Sequence, residues 1–132
     1  MAFFTWDDKY DLGVNDMNGE HKILIEKMNK LHDLNQAEAP KAELRKAFDE
    51  FVNYTVKHFE DEEKYMESID YPELRVHLIH HKNLLDKVTG FSNDFNRPEV
   101  TKLDDKFFKF LSVWLSAHIC GIDMKYGDFA NN

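Results

Sequence analysis

Apolar residues recur along this chain every three or four positions, and the pattern breaks only where Gly, Pro, Asn or Asp intervene. This predicts four amphipathic helices and no strand. After an irregular N-terminal arm, Asn18 is placed to cap a first helix, in which Leu24, Met28, Leu31 and Asn35 follow His21 at helical spacing as far as about Ala37. Pro40 suits the first turn of a second helix, whose stripe holds Leu44, Phe48, Phe51, Thr55, His58, Glu62, Tyr65 and Ile69 opposite a charged face. After Asp70-Tyr71, Pro72 opens a third, carrying Leu74, His77, Leu78, His81, Leu84, Leu85, Val88, Phe91 and Phe95, and Asn96-Arg97-Pro98 ends it. The fourth runs from near Val100 through Leu103, Phe107, Leu111, Trp114, Leu115 and His118, with Gly121 placed to stop it. Short connections favour antiparallel neighbours. The expected fold is all-α, an up-down-up-down antiparallel four-helix bundle with an irregular arm, forming one domain over residues 1–132. The tail Ala130-Asn131-Asn132 is expected to fray.

The stripes hold an anomaly. His21, His58, Glu62, His77, His81 and His118 stand where a plain bundle would place Leu or Phe, and a buried polar group left without a partner costs roughly 1 to 3 kcal/mol. His58 with Glu62, and His77 with His81, are i,i+4 pairs that aim two side chains into one space. Counted from the turns, His21, His58, His81 and His118 lie about 16, 18, 16 and 19 residues along their helices, or roughly 24 to 29 Å at the helical rise. They share one level of the bundle. Asp123 follows His118 by five residues, a poor match to a continuous helix, so Gly121 is expected to turn the chain and bring the carboxylate back. Five imidazoles and two carboxylates able to bridge cations are too many ligands for one tetrahedral zinc. His32 lies about three turns from His21, roughly 16 Å down the bundle, and is excluded as a ligand. His80 points about 100° away from His81 around the helix, toward the surface or behind the ligands. Cys120 is read as a small buried or partly buried residue.

Composition narrows the function. The net charge of -8 argues against a nucleic-acid partner. A single cysteine excludes an internal disulfide and fits a reducing compartment. No signal peptide is read at the N-terminus and no stretch is judged long and apolar enough to cross a membrane, so a cytoplasmic protein without membrane insertion is expected.

Several segments resemble the hemerythrin family, and more closely its single-domain bacterial members. They are Gly19-Glu20-His21-Lys22-Ile23-Leu24, His58-Phe59-Glu60-Asp61-Glu62-Glu63, His77 with His81, and Trp114-Leu115-Ser116-Ala117-His118 leading to Asp123, Tyr126 and Phe129. The arm around Trp6 and Leu12-Gly13-Val14 is also similar. The resemblance implies a non-haem centre of two Fe ions: His77, His81 and His118 on one, His21 and His58 on the other, bridged by Glu62, Asp123 and an oxo or hydroxo group. One iron is left a ligand short, and there the family binds dioxygen reversibly. Leu24, Phe59, Trp114 and Leu115 neighbour the ligands by position and are expected to form the O2 pocket. One departure is Asn18-Gly19-Glu20-His21, where relatives commonly read Asp-x-Gln-His; the ligand is unchanged, but Glu20 alters the charge beside it.

The leading expectation is an O2 carrier, storage or delivery protein, not an enzyme, with an O2-consuming enzyme as recipient. An O2 or redox sensor acting through a separate partner is the alternative, as is a weak diiron peroxidase or oxidase. A histidine-rich ligand set argues against strong oxygenase chemistry. A structural dizinc or dimanganese bundle is the plain alternative.

Overall fold

The computed structural model describes residues 3–131. Its elements are a short 3-10 turn at Asp8–Tyr10 in the arm, then α1 (Asn15–Gln36), α2 (Lys41–Ser68), α3 (Leu74–Phe95) and α4 (Asp105–Ala117). A π-helical stretch, His118–Asp123, carries α4 without a break into α5 (Met124–Ala130). The fold is therefore the expected all-α four-helix bundle, with no strand among the described residues.

α1 and α2 end in the same way. After Ala37 and Ile69, Glu38 and Asp70 take positive φ angles of 56° and 52°, and the next amides reach back, Ala39 to the Leu34 carbonyl and Tyr71 to that of Met66. These are the closures that usually employ glycine at the left-handed position. Neither helix signals its end with glycine, and each stops within about a residue of where the pattern does.

Three boundaries differ from the sequence reading. Asn18 does not cap α1, which begins after Val14 with no side-chain cap. It lies inside the helix, where its Oδ1 accepts from the Leu12 amide at 3.0 Å and its Nδ2 donates to Asp11 at 2.8 Å, tying the arm to the bundle. α3 starts two residues after Pro72, because Pro72 and Glu73 are spent in the turn. α4 starts at Asp105, later than Val100, behind Asp104, whose carboxylate accepts from the Lys106 amide at 2.8 Å. The α3–α4 connection is held from outside by the Lys41 ammonium, which donates to the carbonyls of Arg97 and Val100. From inside it is held by Asn35, which accepts from the Leu103 amide at 2.8 Å and donates to its carbonyl at 3.1 Å.

The tail is not frayed as far as it is described. Asn131 donates to the Gly127 and Leu12 carbonyls at 2.8 and 3.3 Å; Asn132, like Met1 and Ala2, lies outside the described residues. Here α5 and the arm meet so closely that a Cβ at Gly127 would stand 2.5 Å from the Leu12 carbonyl oxygen. The continuous run Asp105–Ala130 also has the length and hydropathy of a membrane span, contrary to the sequence reading. In the bundle its Phe107, Phe108, Leu111, Leu115 and Ile119 are buried.

Far from the histidines the core is aromatic, with Phe48 between Phe95 and Phe107 at centroid distances of 6.5 and 5.3 Å. Asn35→Ala should remove the tie to Leu103 and leave both its buried backbone groups unpaired. A loss of about 2–4 kcal/mol of stability in urea unfolding is expected, given roughly 1 to 3 kcal/mol per unpaired group. A loss under about half a kcal/mol would show that the tie contributes nothing.

Candidate metal centre

At the opposite end, the seven predicted residues converge from all four helices. His21 comes from α1, His58 and Glu62 from α2, His77 and His81 from α3, and His118 and Asp123 from the π-helical stretch. All seven are buried, Glu62 and Asp123 completely. Their donor atoms form two overlapping groups, one of Glu62, His77, His81, His118 and Asp123, the other of His21, His58, Glu62 and Asp123. Within each group the atoms lie within 4.8 Å of one another, and both groups contain both carboxylates.

The π-helical stretch corrects one expectation. Gly121 neither stops the fourth helix nor turns it back. The Met124 amide instead bonds the Ile119 carbonyl, five residues behind, so an extra residue is taken up in the turn. Residues five apart then share a face, which brings His118 Nε2 to 2.9 Å from Asp123 Oδ1.

Glu62 receives His77 at 3.1 Å and His81 at 2.8 Å on Oε1, while the Nε2 atoms of His21 and His58 stand 3.5 and 3.4 Å from Oε2. His77 and His21 also approach Asp123, at 2.9 and 3.1 Å. Yet among the described residues His21 Nδ1 and Nε2, His118 Nε2 and both Asp123 oxygens are buried without a properly directed hydrogen bond. Such groups are rare in a core. Lone pairs on imidazole nitrogens and carboxylate oxygens crowded in this way suit cations, and imidazole with carboxylate suits non-haem iron.

The family follows from the whole chain as well as from this cluster. The hemerythrin HHE cation-binding domain matches residues 12–130. The chain belongs to the hemerythrin family. Bacteriohemerythrin of Stenotrophomonas maltophilia is 33% identical over 128 residues, covering 97% of this chain and 82% of that one. The bacteriohemerythrin of Clostridium acetobutylicum is 32% identical over 132 residues, covering 95% and 99%. Myohemerythrin of Riftia pachyptila is 31% identical over 123 residues, covering 93% and 90%. The crystal structure of a wild-type hemerythrin superposes with a TM-score of 0.87 at 28% identity, over 96% of this chain and 97% of that one.

In this hemerythrin-family bundle three residues behind the cluster were not assigned roles by periodicity. Glu20, which the sequence marks only as a departure, reaches across from α1 and meets His58 Nδ1 at 2.7 Å. Glu63 on α2 meets His81 Nδ1 at 2.8 Å. Each carboxylate can only accept, so the ring donates outward through Nδ1 and presents its Nε2 edge to the cluster, which orients the ring. Tyr126 donates its hydroxyl to Glu62 Oε2 at 2.7 Å; burial and the Glu62 charge push that phenol far up, so it stays a donor. Glu20 and Glu63 each directly precede or follow a predicted ligand, the one signal in the sequence that could have flagged them.

Of the four expected pocket residues, Leu24, Trp114 and Leu115 line a small apolar cavity with Met28, Phe51 and Leu84. Its volume of about 10 Å³ is room for roughly one water-sized particle. Phe59 does not line it: its ring lies flat on His81, centroids 3.7 Å apart. Trp114 is likewise stacked on His118 at 4.5 Å. His32, half-buried, stacks on Phe3 outside the cluster, and His80 stands 6.5 Å from His118 as a neighbour only. Cys120 is partly buried near the arm.

The charges of the cluster compensate one another. Burial disfavours the His58 cation, but the Glu62 charge and the Glu20 bond outweigh it and raise the ring from 6.5 to about 10. Burial likewise works against the His77 cation, and Asp123 with Glu62 lifts it to about 9. Glu62 and Asp123, which burial alone would raise from 4.5 and 3.8, are drawn down by the surrounding imidazoles. In protein stripped of metal by a chelator, the histidine contribution to stability is full below pH 6.5 and lost as pH rises through 9 to 10. The carboxylate contribution is full above 4.5 and lost on acidification. The urea midpoint of stripped protein should therefore peak at about pH 5–6 and fall toward about pH 10. A midpoint that climbs across that alkaline range would contradict the pairing.

Proposed function

We propose that this protein binds dioxygen reversibly at a pair of iron ions and serves as an O2 carrier, store or delivery protein rather than as an enzyme. The observation that carries this reading is the pair of donor groups sharing Glu62 and Asp123. Two ions held side by side would be bridged by those carboxylates, with His77, His81 and His118 completing one set and His21 and His58 the other. The second set is smaller by one imidazole. These residues would hold a ferrous pair, whose chemistry there would be the reversible supply of two electrons to dioxygen.

This chain's residues set the conditions for reversibility. Glu20 and Glu63 hold His58 and His81 in one tautomer, and the Tyr126 hydroxyl fixes the orientation of Glu62. Leu24, Leu115, Phe59 and the face of Trp114 form a dry wall against the cluster, which denies water and stray protons to the bound gas. The small cavity between Leu24 and Leu115 suits a diatomic molecule better than any organic substrate. An O2-consuming enzyme is the natural recipient.

The decisive measurement is the visible spectrum of anaerobically reduced, iron-quantified protein, taken in air and again after an argon purge. Colour gained in air and lost under argon, with two irons per chain, is expected; colour that persists under argon would overturn reversible binding. In the same assay Glu62→Ala and Asp123→Ala should each lose the paired centre, while His32→Ala keeps it. Two irons per chain in both carboxylate variants would refute the bridging assignment. Leu115→Ser, which admits water beside the cluster, should speed autoxidation by about tenfold, on the order of 1.4 kcal/mol. An unchanged rate would remove Leu115 from the wall.

A further inference from the structure

The diiron reading leaves open how an oxidised centre regains its electrons, and the surface supplies an entry point. Two aromatic rings lie flat on ligand imidazoles, Phe59 on His81 and Trp114 on His118. Phe59 is buried, so its contact leads nowhere. Trp114 is only half-buried: one face covers His118 with centroids 4.5 Å apart and planes 15° from parallel, while its edge opens on the outer face of α4. There a shallow groove of about 550 Å³ is lined by Trp114, Phe110, Val113 and Ala117. Val113 is 62% exposed, the most exposed large apolar side chain among the described residues.

The charges around this groove oppose those of the whole molecule. The chain carries 25 acidic and 17 basic residues for a net -8, yet the only charged residues lining the groove are Lys106 and Lys109. Lys87 of α3 adds a third cation, its ammonium 5.9 Å from the Phe110 ring. An apolar centre with a cationic rim, set in an acidic surface, steers an acidic partner to this spot and repels it elsewhere. We propose that this face docks a small acidic one-electron carrier protein, which passes electrons through the Trp114 indole and the His118 imidazole to the metal pair.

The proposal rests on the diiron reading. In each encounter the carrier loses one electron and is oxidised by one, and one ferric ion becomes ferrous; two encounters restore the ferrous pair, and no covalent bond is made to the protein. The indole and imidazole form a stacked path with no gap of solvent or saturated side chain between them.

The test uses the iron-loaded, oxidised protein with a strongly acidic plant-type ferredoxin, reduced beforehand, as probe and dithionite as a small reductant that needs no docking. The double variant Lys106→Glu/Lys109→Glu should slow reduction by ferredoxin about tenfold at low salt and leave the dithionite rate unchanged. Calorimetric titration with oxidised ferredoxin should show binding that the double variant loses and that salt weakens. At saturating ferredoxin, Trp114→Leu should slow the transfer itself. Equal ferredoxin rates in wild type and double variant, or equal slowing with both reductants, would overturn the docking face; an unchanged limiting rate in Trp114→Leu would overturn the route. Absence of the diiron absorption overturns the parent reading and electron entry together, whereas absence of binding with that absorption present overturns docking alone.

Discussion

Two carboxylates with no solvent exposure are the constraint on which the rest of this structure depends. Glu62 and Asp123 are wholly buried, and an uncompensated charge in such a place is among the costliest features a small domain can contain. Five imidazoles answer them, and each imidazole needs its own helix position to do so. The bundle is therefore organised around one polar layer. Its helices are long enough to bring α1, α2, α3 and the fourth helix to a common level, and the aromatic core around Phe48, Phe95 and Phe107 stabilises the far end where no such compensation is required.

Outward from that layer, carboxylates recur in a graded way. Glu20 and Glu63 sit at the edge, partly open to water, and bond the outer nitrogens of His58 and His81. Each ring is thus held between an inner and an outer anion, which keeps it from rotating away. Tyr126 does the same for Glu62 from α5. A polar core of this kind is rigid because few of its groups can move without stranding another.

Much of this was legible in the sequence, and the reasons divide cleanly. The helices were visible because an amphipathic stripe has one period wherever it packs, and the buried polar cluster because His58, Glu62, His77 and His81 interrupt that stripe at matching heights. What periodicity could not reach were departures from it. An α-helical ruler puts Asp123 off the face of His118, and Gly121 offered a plausible reason to break the helix; the chain instead absorbs one residue in a π-helical turn. Asn18 carries every mark of a cap, yet its side chain is engaged by Leu12 and Asp11 of the arm, a contact no local rule contains. The arm-bound Asn131 is missed for the same reason. Phe59 follows His58 in sequence, but its ring lies flat on His81 of the neighbouring helix, a contact that no local spacing contains.

The tie between Asn131 and the arm carries a consequence for the order of assembly. Asn131 meets Leu12 across 119 positions of the chain, and the last residue of the buried cluster, Asp123, lies just ahead of it. Contacts between the chain's extremities cost the most closure entropy before they return any stability, whereas α1 and α2 form a local hairpin. His21 and His58 are thus brought together early, and the cluster is completed only when the final helix closes against the arm. Until that closure the half-built cluster is open to solvent, so the chain's topology leaves its two carboxylates hydrated until the last turn of helix is in place.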